Sequence, residues 1–254
     1  LARVRGEFAE AEAHFRHLLR LQPRFLPGQL ELARVLFENQ QDGAAEELFR
    51  QIQAELPPHD PQANGVRTSV GRFLAALEQR QGWQGSLNLG PTWSDNLNQS
   101  SESDTCLLAT TLGACIVRRT LPEAVSAAGL DYEATLNRRI ALQGHHGLYA
   151  RALLYGYSYN NYSEYNESTL IANLGYSYRS ARNQYSLAPS FETNRIGNEG
   201  MYSAWGARAE WLHHLSRGSA IKLEATYRSM RYHDALYRYN DGSSSALFAT
   251  GWHV

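Results

Sequence analysis

The residue types that carry chemistry are present in this chain, but their spacing does not assemble a reaction centre. His145 and His146 are adjacent in a turn-like segment, Leu142-Gln-Gly-His-His-Gly147. His213-His214 and His233 stand in similar settings. A zinc site needs three or four converging ligands, and no third ligand falls beside any of these, so they read as solvated histidines. No G-x-S-x-G segment occurs, and no Ser, His and acid spacing singles out a triad. The expectation is a protein that is not an enzyme, with no catalytic, cofactor-binding or metal-binding residue and no cofactor. Two other patterns have physical content. Asp131 and Glu133, Arg208 and Glu210, Lys222 and Glu224, and Arg228 recur at spacings of two, which on a strand puts them on one face. They fit either a cross-strand ion-pair network or the lining of a substrate path. Cys106 and Cys115 are separated by Leu107 to Ala114. That length allows a hairpin turning near Thr111 and a disulfide in an oxidising compartment. The alternative for 105–117 is an ordinary strand with two buried thiols.

The elements that would position these groups are strands. From Tyr185 every second residue is apolar (Tyr185, Leu187, Pro189, Phe191), and the intervening residues are Gln184, Ser186, Ala188, Ser190 and Glu192. Alternation resumes at Trp205, Ala207, Ala209, Trp211 and, after a turn at Arg217-Gly218, at Ile221, Leu223, Ala225, Tyr227. Further strands read at Trp83–Leu89, Ala128–Leu136, Leu148–Tyr159, Leu170–Tyr178 and from Ser245 onward, eight in all. One face carries full charges in mid-strand and the other is rich in Tyr and Trp. Fifteen Tyr against eight Phe tilts the same way. A membrane barrel with a wet interior and aromatic girdles has this signature, and a soluble sandwich shares the period of two. Pro189 counts against an interior strand because it forfeits a ladder hydrogen bond; a bulge there would reconcile it.

Residues 1–82 have a different period. Gly6, Phe8, Ala11, Phe15, Leu18, Leu19 and Pro23 are partly repeated 34 residues on by Ala45, Phe49, Ile52 and Pro57. That period with small Ala and large Phe at fixed offsets is tetratricopeptide-like. Gln40 stands where such a repeat expects Gly, and Asp42 where it expects an aromatic residue. A third helix, Val66 to Arg80, would cap the stack. Leu30, Arg34 and Phe37 are candidates for a client-binding groove, or simply the surface of a spacer. The Leu56–Pro61 segment reads as a loop, and the boundary between helix and strand falls at Gln81-Gly82.

The 254 residues carry a formal charge of −1, so bulk electrostatics suggests no nucleic-acid partner. No run of apolar residues is long enough for a transmembrane helix. Short turns at 142–147, 180–183 and 216–219 alternate with longer loops at 160–167, 194–200 and 231–243. With the repeats in the periplasm, this alternation places 91–124 as one external excursion. Leu1 falls inside a repeat pattern and Val254 inside a strand, so the expectation is a chain clipped at both ends.

Trp83-Gln-Gly-Ser-Leu-Asn-Leu-Gly90 and Ser94-Asp-Asn-Leu-Asn98 resemble the surface lipoprotein assembly modulator family. So do Ala128-Gly-Leu-Asp-Tyr132, Leu187-Ala-Pro-Ser-Phe-Glu192, Leu215-Ser-Arg-Gly218 and Asn240-Asp-Gly-Ser243. The resemblance implies a periplasmic helical repeat domain (1–82) followed by an antiparallel transmembrane β-barrel (83–254, incomplete at its C-terminal end). The complete barrel would have about fourteen strands. It also implies a bacterial outer-membrane location and a translocator that delivers lipoproteins to the cell surface. The repeats would handle the client, and the barrel would pass it through or along itself. The implied partners are a surface lipoprotein client, outer-membrane lipid and a periplasmic chaperone, with no nucleic acid. Two alternatives remain: a polysaccharide export porin with periplasmic repeats, and an outer-membrane acyl hydrolase.

Overall fold

Helices fill the first third of the chain because their apolar residues recur on one stripe. The computed structural model describes residues 2–57, 60–101, 103–216 and 218–253. Leu1, Pro58 and His59 of the expected loop, Arg217 of the expected turn, and Val254 lie outside them. A short α1 (Ala2–Arg5) leads to α2 (Phe8–Leu21), α3 (Leu26–Glu38), α4 (Asp42–Glu55) and α5 (Asn64–Gln81). Successive long helices pack on each other. Small residues set the spacing: Ala11, Ala33 and Ala45 are buried. A Cβ at Gly28 would lie 2.9 Å from the Phe25 ring and 3.2 Å from Leu18, so α3 approaches its neighbour where only glycine fits. Phe49, Ile52, Val70 and Leu77 are fully buried. Phe73 stacks on Phe49 at 4.9 Å, which fixes α5 against α4. The turn before α4 is made by Gln40 at φ 62°, a left-handed conformation that glycine adopts most readily.

The strands follow from the period of two. β1 (Gln84–Ser94) is followed by a separate hairpin, β2 (Asp104–Ala109) and β3 (Cys115–Thr120). Then come β4 (Ala127–Ala141), β5 (His146–Tyr159), β6 (Glu167–Arg179), β7 (Asn183–Ile196), β8 (Glu199–His214), β9 (Ser219–Tyr232) and β10 (Gly242–His253). Eight of them form one antiparallel sheet in the order β1-β4-β5-β6-β7-β8-β9-β10, while β2 and β3 form a separate two-stranded sheet. The eight segments expected from alternation are all in this sheet.

The expected transmembrane barrel, incomplete at its C-terminal end, is corrected to an open sheet. Among the described residues β1 pairs with β4 alone and β10 with β9 alone. Closure requires the two edges to share a ladder, and they do not. Alternation tells which face a side chain takes; it carries no information on whether first and last strands meet. No helix among the described residues is long and apolar enough to cross a membrane.

Pro189 sits in an interior strand without the expected bulge. The β6–β7 register runs from Asn173↔Ser190 to Tyr176↔Leu187 with the intervening pairs missing and no shift. The Asn173 side-chain amide donates to the Pro189 carbonyl at 3.5 Å. The imino nitrogen thus costs a stretch of ladder but not the alignment of the strands.

Candidate functional site: the charged face of the sheet

Register places Arg139 of β4, Arg151 of β5, Asn173 of β6, Ser186 of β7, Arg208 and Glu210 of β8, and Lys222 and Glu224 of β9 on one face. Leu187, Trp205 and Tyr227 lie on the other and are 60%, 65% and 51% exposed, so the sheet has a charged face and a bare apolar one.

Four of the sequence-predicted residues form one cluster. Arg208 donates to Glu210 at 2.5 Å and reaches Glu224 at 2.9 Å. Lys222 donates to Glu224 at 3.0 Å and lies 3.7 Å from Glu210. Glu210 and Glu224 are direct cross-strand neighbours, and like charges there repel unless cations bridge them. Burial alone would push the Glu210 carboxyl up. The hydrogen bond and charge of Arg208, with Lys222, outweigh it and hold that carboxyl below its ordinary value. Arg228 stands apart, paired at 2.9 Å with Glu192. Its Nε is buried without a hydrogen-bond partner among the described residues. The Tyr202 hydroxyl donates to Glu192 at 2.8 Å; burial first, then Glu192, push its pKa above the ordinary tyrosine value. Asp131 and Glu133 are exposed and join neither group.

A second cluster, not picked out from the sequence, ties the helices to the sheet. Asp42, at the start of α4, is 2% exposed. Arg80 of α5 reaches it at 3.0 Å, and Arg139 of β4 at 3.8 Å. Arg139, 5% exposed, also donates to the Ser177 hydroxyl at 3.0 Å and to the His145 carbonyl at 3.1 Å. Burial lowers the pKa of Arg139, and Arg179 nearby lowers it further, while Asp42 opposes both. Arg179 is likewise lowered by burial, with Asp42 opposing. The same docking seats Gly43 against the β4–β5 turn, where an added Cβ would touch the Leu142 carbonyl at 3.4 Å. Two sequence signals could have found this cluster. Asp42 replaces an aromatic residue of the repeat, and Arg139 shares its parity with Asp131 and Glu133.

The remaining candidates have local partners. Leu30 and Phe37 pack against the helical core. Arg34 pairs with Glu31 at 2.6 Å and sits over the Phe73 ring. Phe37 packs edge-on against Phe73 and lies beneath the Arg80 guanidinium at 3.8 Å. His145 Nδ1 donates to the Arg179 carbonyl at 2.8 Å, and His213 Nδ1 to the Asn183 side chain at 2.8 Å. Ser203 pairs with His233 at 3.0 Å and Ser219 with His253 at 2.6 Å. Among the described residues neither His has a carboxylate hydrogen-bonded to it, so no triad is assembled. No group of three or more His, Cys, Asp or Glu among them could hold a metal ion. Cys106 and Cys115 are joined, with Sγ atoms 2.06 Å and Cα atoms 5.7 Å apart. The disulfide ties β2 to β3 on a hairpin whose Leu107, Leu108 and Leu112 are exposed.

A helical unit docked on a two-faced sheet, with an ion-pair network on its charged face, fits a binding or assembly protein. The comparisons with known proteins agree on which kind. The family described as Surface lipoprotein assembly modifier matches residues 83–250, and its N-terminal TPR repeats match residues 1–49. The chain belongs to the surface lipoprotein assembly modifier family. It is 45% identical to the Hemophilin secretion modulator of Acinetobacter baumannii over all of this chain and 53% of that protein. It is 27% identical to the Surface lipoprotein assembly modifier of Moraxella catarrhalis over 80% of this chain and 38% of that one. The figures for Surface lipoprotein assembly modifier 1 of Neisseria meningitidis are 26%, 82% and 40%. The chain thus spans about half, or less, of the length of these relatives. No solved structure matches it significantly.

The expected route of a client through or along a barrel is corrected with the barrel itself: the open strand order encloses no passage. The polysaccharide-porin alternative falls on the same observation, and no Ser-His-acid triad for the acyl hydrolase is assembled among the described residues.

Proposed function

We propose that this protein assists the placement of an exported lipoprotein client at the bacterial outer surface by binding it, without bond chemistry. The observation that carries the reading is the charged face of the sheet, linked to the helical unit by the ion pairs of Asp42 with Arg80 and Arg139. A client held by the helices would meet that face without a flexible linker between them. Family membership supports the choice of client, and the relatives named for lipoprotein assembly and for hemophilin secretion support an export role. In this reading the protein works at the outer membrane with its helical unit in the periplasm. The bare apolar face seats on outer-membrane lipid, and a periplasmic chaperone hands over the client. Residues 1–82 and 83–254 act as the helical and sheet parts, and the disulfide-tied hairpin contacts the client beside the sheet.

Site-specific photo-crosslinking in cells tests the binding face. A crosslinker at Glu133 or Thr226 on the charged face should capture a co-expressed lipoprotein, and one at Leu187 or Trp205 should not. Equal capture from both faces, or none from the charged face, would refute the assignment.

A further inference from the structure

Between the helical unit and the charged face lies a cavity of about 530 Å³, a size that suits a small ligand or a headgroup rather than a folded partner. Its lining is electrostatically one-sided: seven cationic residues and a single carboxylate, Glu210. Asp42 and Glu224 stand just behind. Seven cations against these three carboxylates leave an excess of four positive charges. The excess is localised. Arg208 and Lys222 are neutralised by the two glutamates, and Arg80 and Arg139 share Asp42. Arg138, Arg151 and Arg179 are in no salt bridge among the described residues. Arg138 belongs by register to the apolar face, where it leans over the Trp83 ring and donates to the Gln81 carbonyl, so the charge open to the cavity is that of Arg179 and of Arg151, which is exposed on the sheet.

Folding this much like charge into one cavity is unfavourable unless something compensates it. The chain could have placed carboxylates here, as it does a few residues away on the same face. Neutral groups able to hydrogen-bond an oxyanion, Asn173, Ser186 and Gln184, complete the lining. A single carboxylate would neutralise one charge, whereas a phosphate monoester neutralises close to two and offers three acceptor oxygens that match the guanidinium fork.

We infer that this cavity is a binding site for a phosphate group, carried on a lipid headgroup or free in solution, with Arg151 and Arg179 as its principal ligands. The site lies where the charged face proposed for the client meets the helical unit. It would let a phosphorylated molecule clamp the helical unit to the sheet, because Arg80 and Arg179 face it from opposite sides of the junction.

The test needs no client, so its failure is distinguishable from failure of the proposed function. The purified 254-residue protein is titrated calorimetrically at low salt with inorganic phosphate. Separately it is titrated with phosphatidylcholine vesicles that contain or lack phosphatidate. Saturable binding of phosphate, or of phosphatidate vesicles only, supports the site; the second outcome identifies the headgroup as the source. Arg151→Gln should weaken binding roughly tenfold, the scale of one charge-assisted hydrogen bond. Arg238→Gln, with the same charge change in the turn before β10, should not. Arg151→Lys keeps the charge without the fork, guards against a folding defect, and should fall between wild type and Gln. No saturable binding of either probe overturns the site. So do equal losses in Arg151→Gln and Arg238→Gln, or binding of polyglutamate with none of phosphate.

Discussion

Replacing Asp42 by Ala should loosen the helical unit from the sheet and destabilise the whole chain by about 3 kcal/mol. The carboxylate is 2% exposed and serves two guanidiniums, Arg80 at 3.0 Å and Arg139 at 3.8 Å. Removing one partner of a buried ion pair costs roughly 3–5 kcal/mol because the other charge stays desolvated. Arg139, at 5% exposure, pays most of that penalty. Arg80 is 31% exposed, so solvent screens its share, which is worth at most about 1 kcal/mol. The lower end of the range follows, since the contact to Arg139 is long. The control is Glu46→Gln, which removes the i,i+4 pair with the exposed Arg50, leaves an amide oxygen to accept from Gln81, and should cost only about 0.3–0.5 kcal/mol. Urea unfolding followed by far-UV circular dichroism gives the stability difference. Limited proteolysis near Gly82 and Trp83 reports the junction directly. The reasoning fails if Asp42→Ala and Glu46→Gln unfold at the same urea concentration and resist protease equally.

Three further outcomes follow from local structure. Gln40→Gly should raise stability by about 1 kcal/mol, since the turn holds a non-glycine residue at φ 62°; a thermal melt at or below wild type would contradict it. Glu210 has a depressed folded-state pKa. Its contribution is therefore full above the ordinary carboxylate value of 4.5 and is lost as pH falls through the lower folded value. Glu210→Gln should accordingly flatten the loss of stability below that pH, and an unchanged acid limb of the urea midpoint profile would contradict the pairing. Cys106→Ser should open the β2–β3 hairpin, costing about 2–3 kcal/mol locally for so short a loop. Protease cleavage within 104–120 should rise sharply while the main sheet stays intact, and an equally resistant hairpin would contradict a role for the disulfide.

The sequence spoke most clearly where a local period decides the structure. Tyr185 to Phe191 and Trp205 to Trp211 alternate cleanly, and both segments are strands with their aromatic residues on the exposed apolar face. The helical stripe of Val66 to Leu77 is likewise α5, since Val70 and Leu77 must be buried together. Closure was not legible. Whether β1 meets β10 depends on accumulated twist and on pairing between strands that are far apart in the chain, Gln84–Ser94 and Gly242–His253, which no local pattern encodes. The Asp42 cluster was half legible: an acid replacing an aromatic residue in a repeat signalled a special position, but its partners come from α5 and β4. Arg138 and Arg139 are chemically identical neighbours. Only strand parity separates the one turned to Asp42 from the one stacked on Trp83. Pro189 was a correct warning with an incorrect remedy: the ladder is interrupted while the register continues.

Protease shaving of intact cells tests the central claim most directly. Cells co-expressing a lipoprotein client with the intact gene for this protein are compared with cells lacking it, and cleavage of the client is followed by blotting. The account predicts a protease-sensitive client at the surface when the protein is present. It predicts a protected client of equal abundance when the protein is absent, and an intermediate yield with Asp42→Ala. Equal client exposure with and without the protein would contradict it.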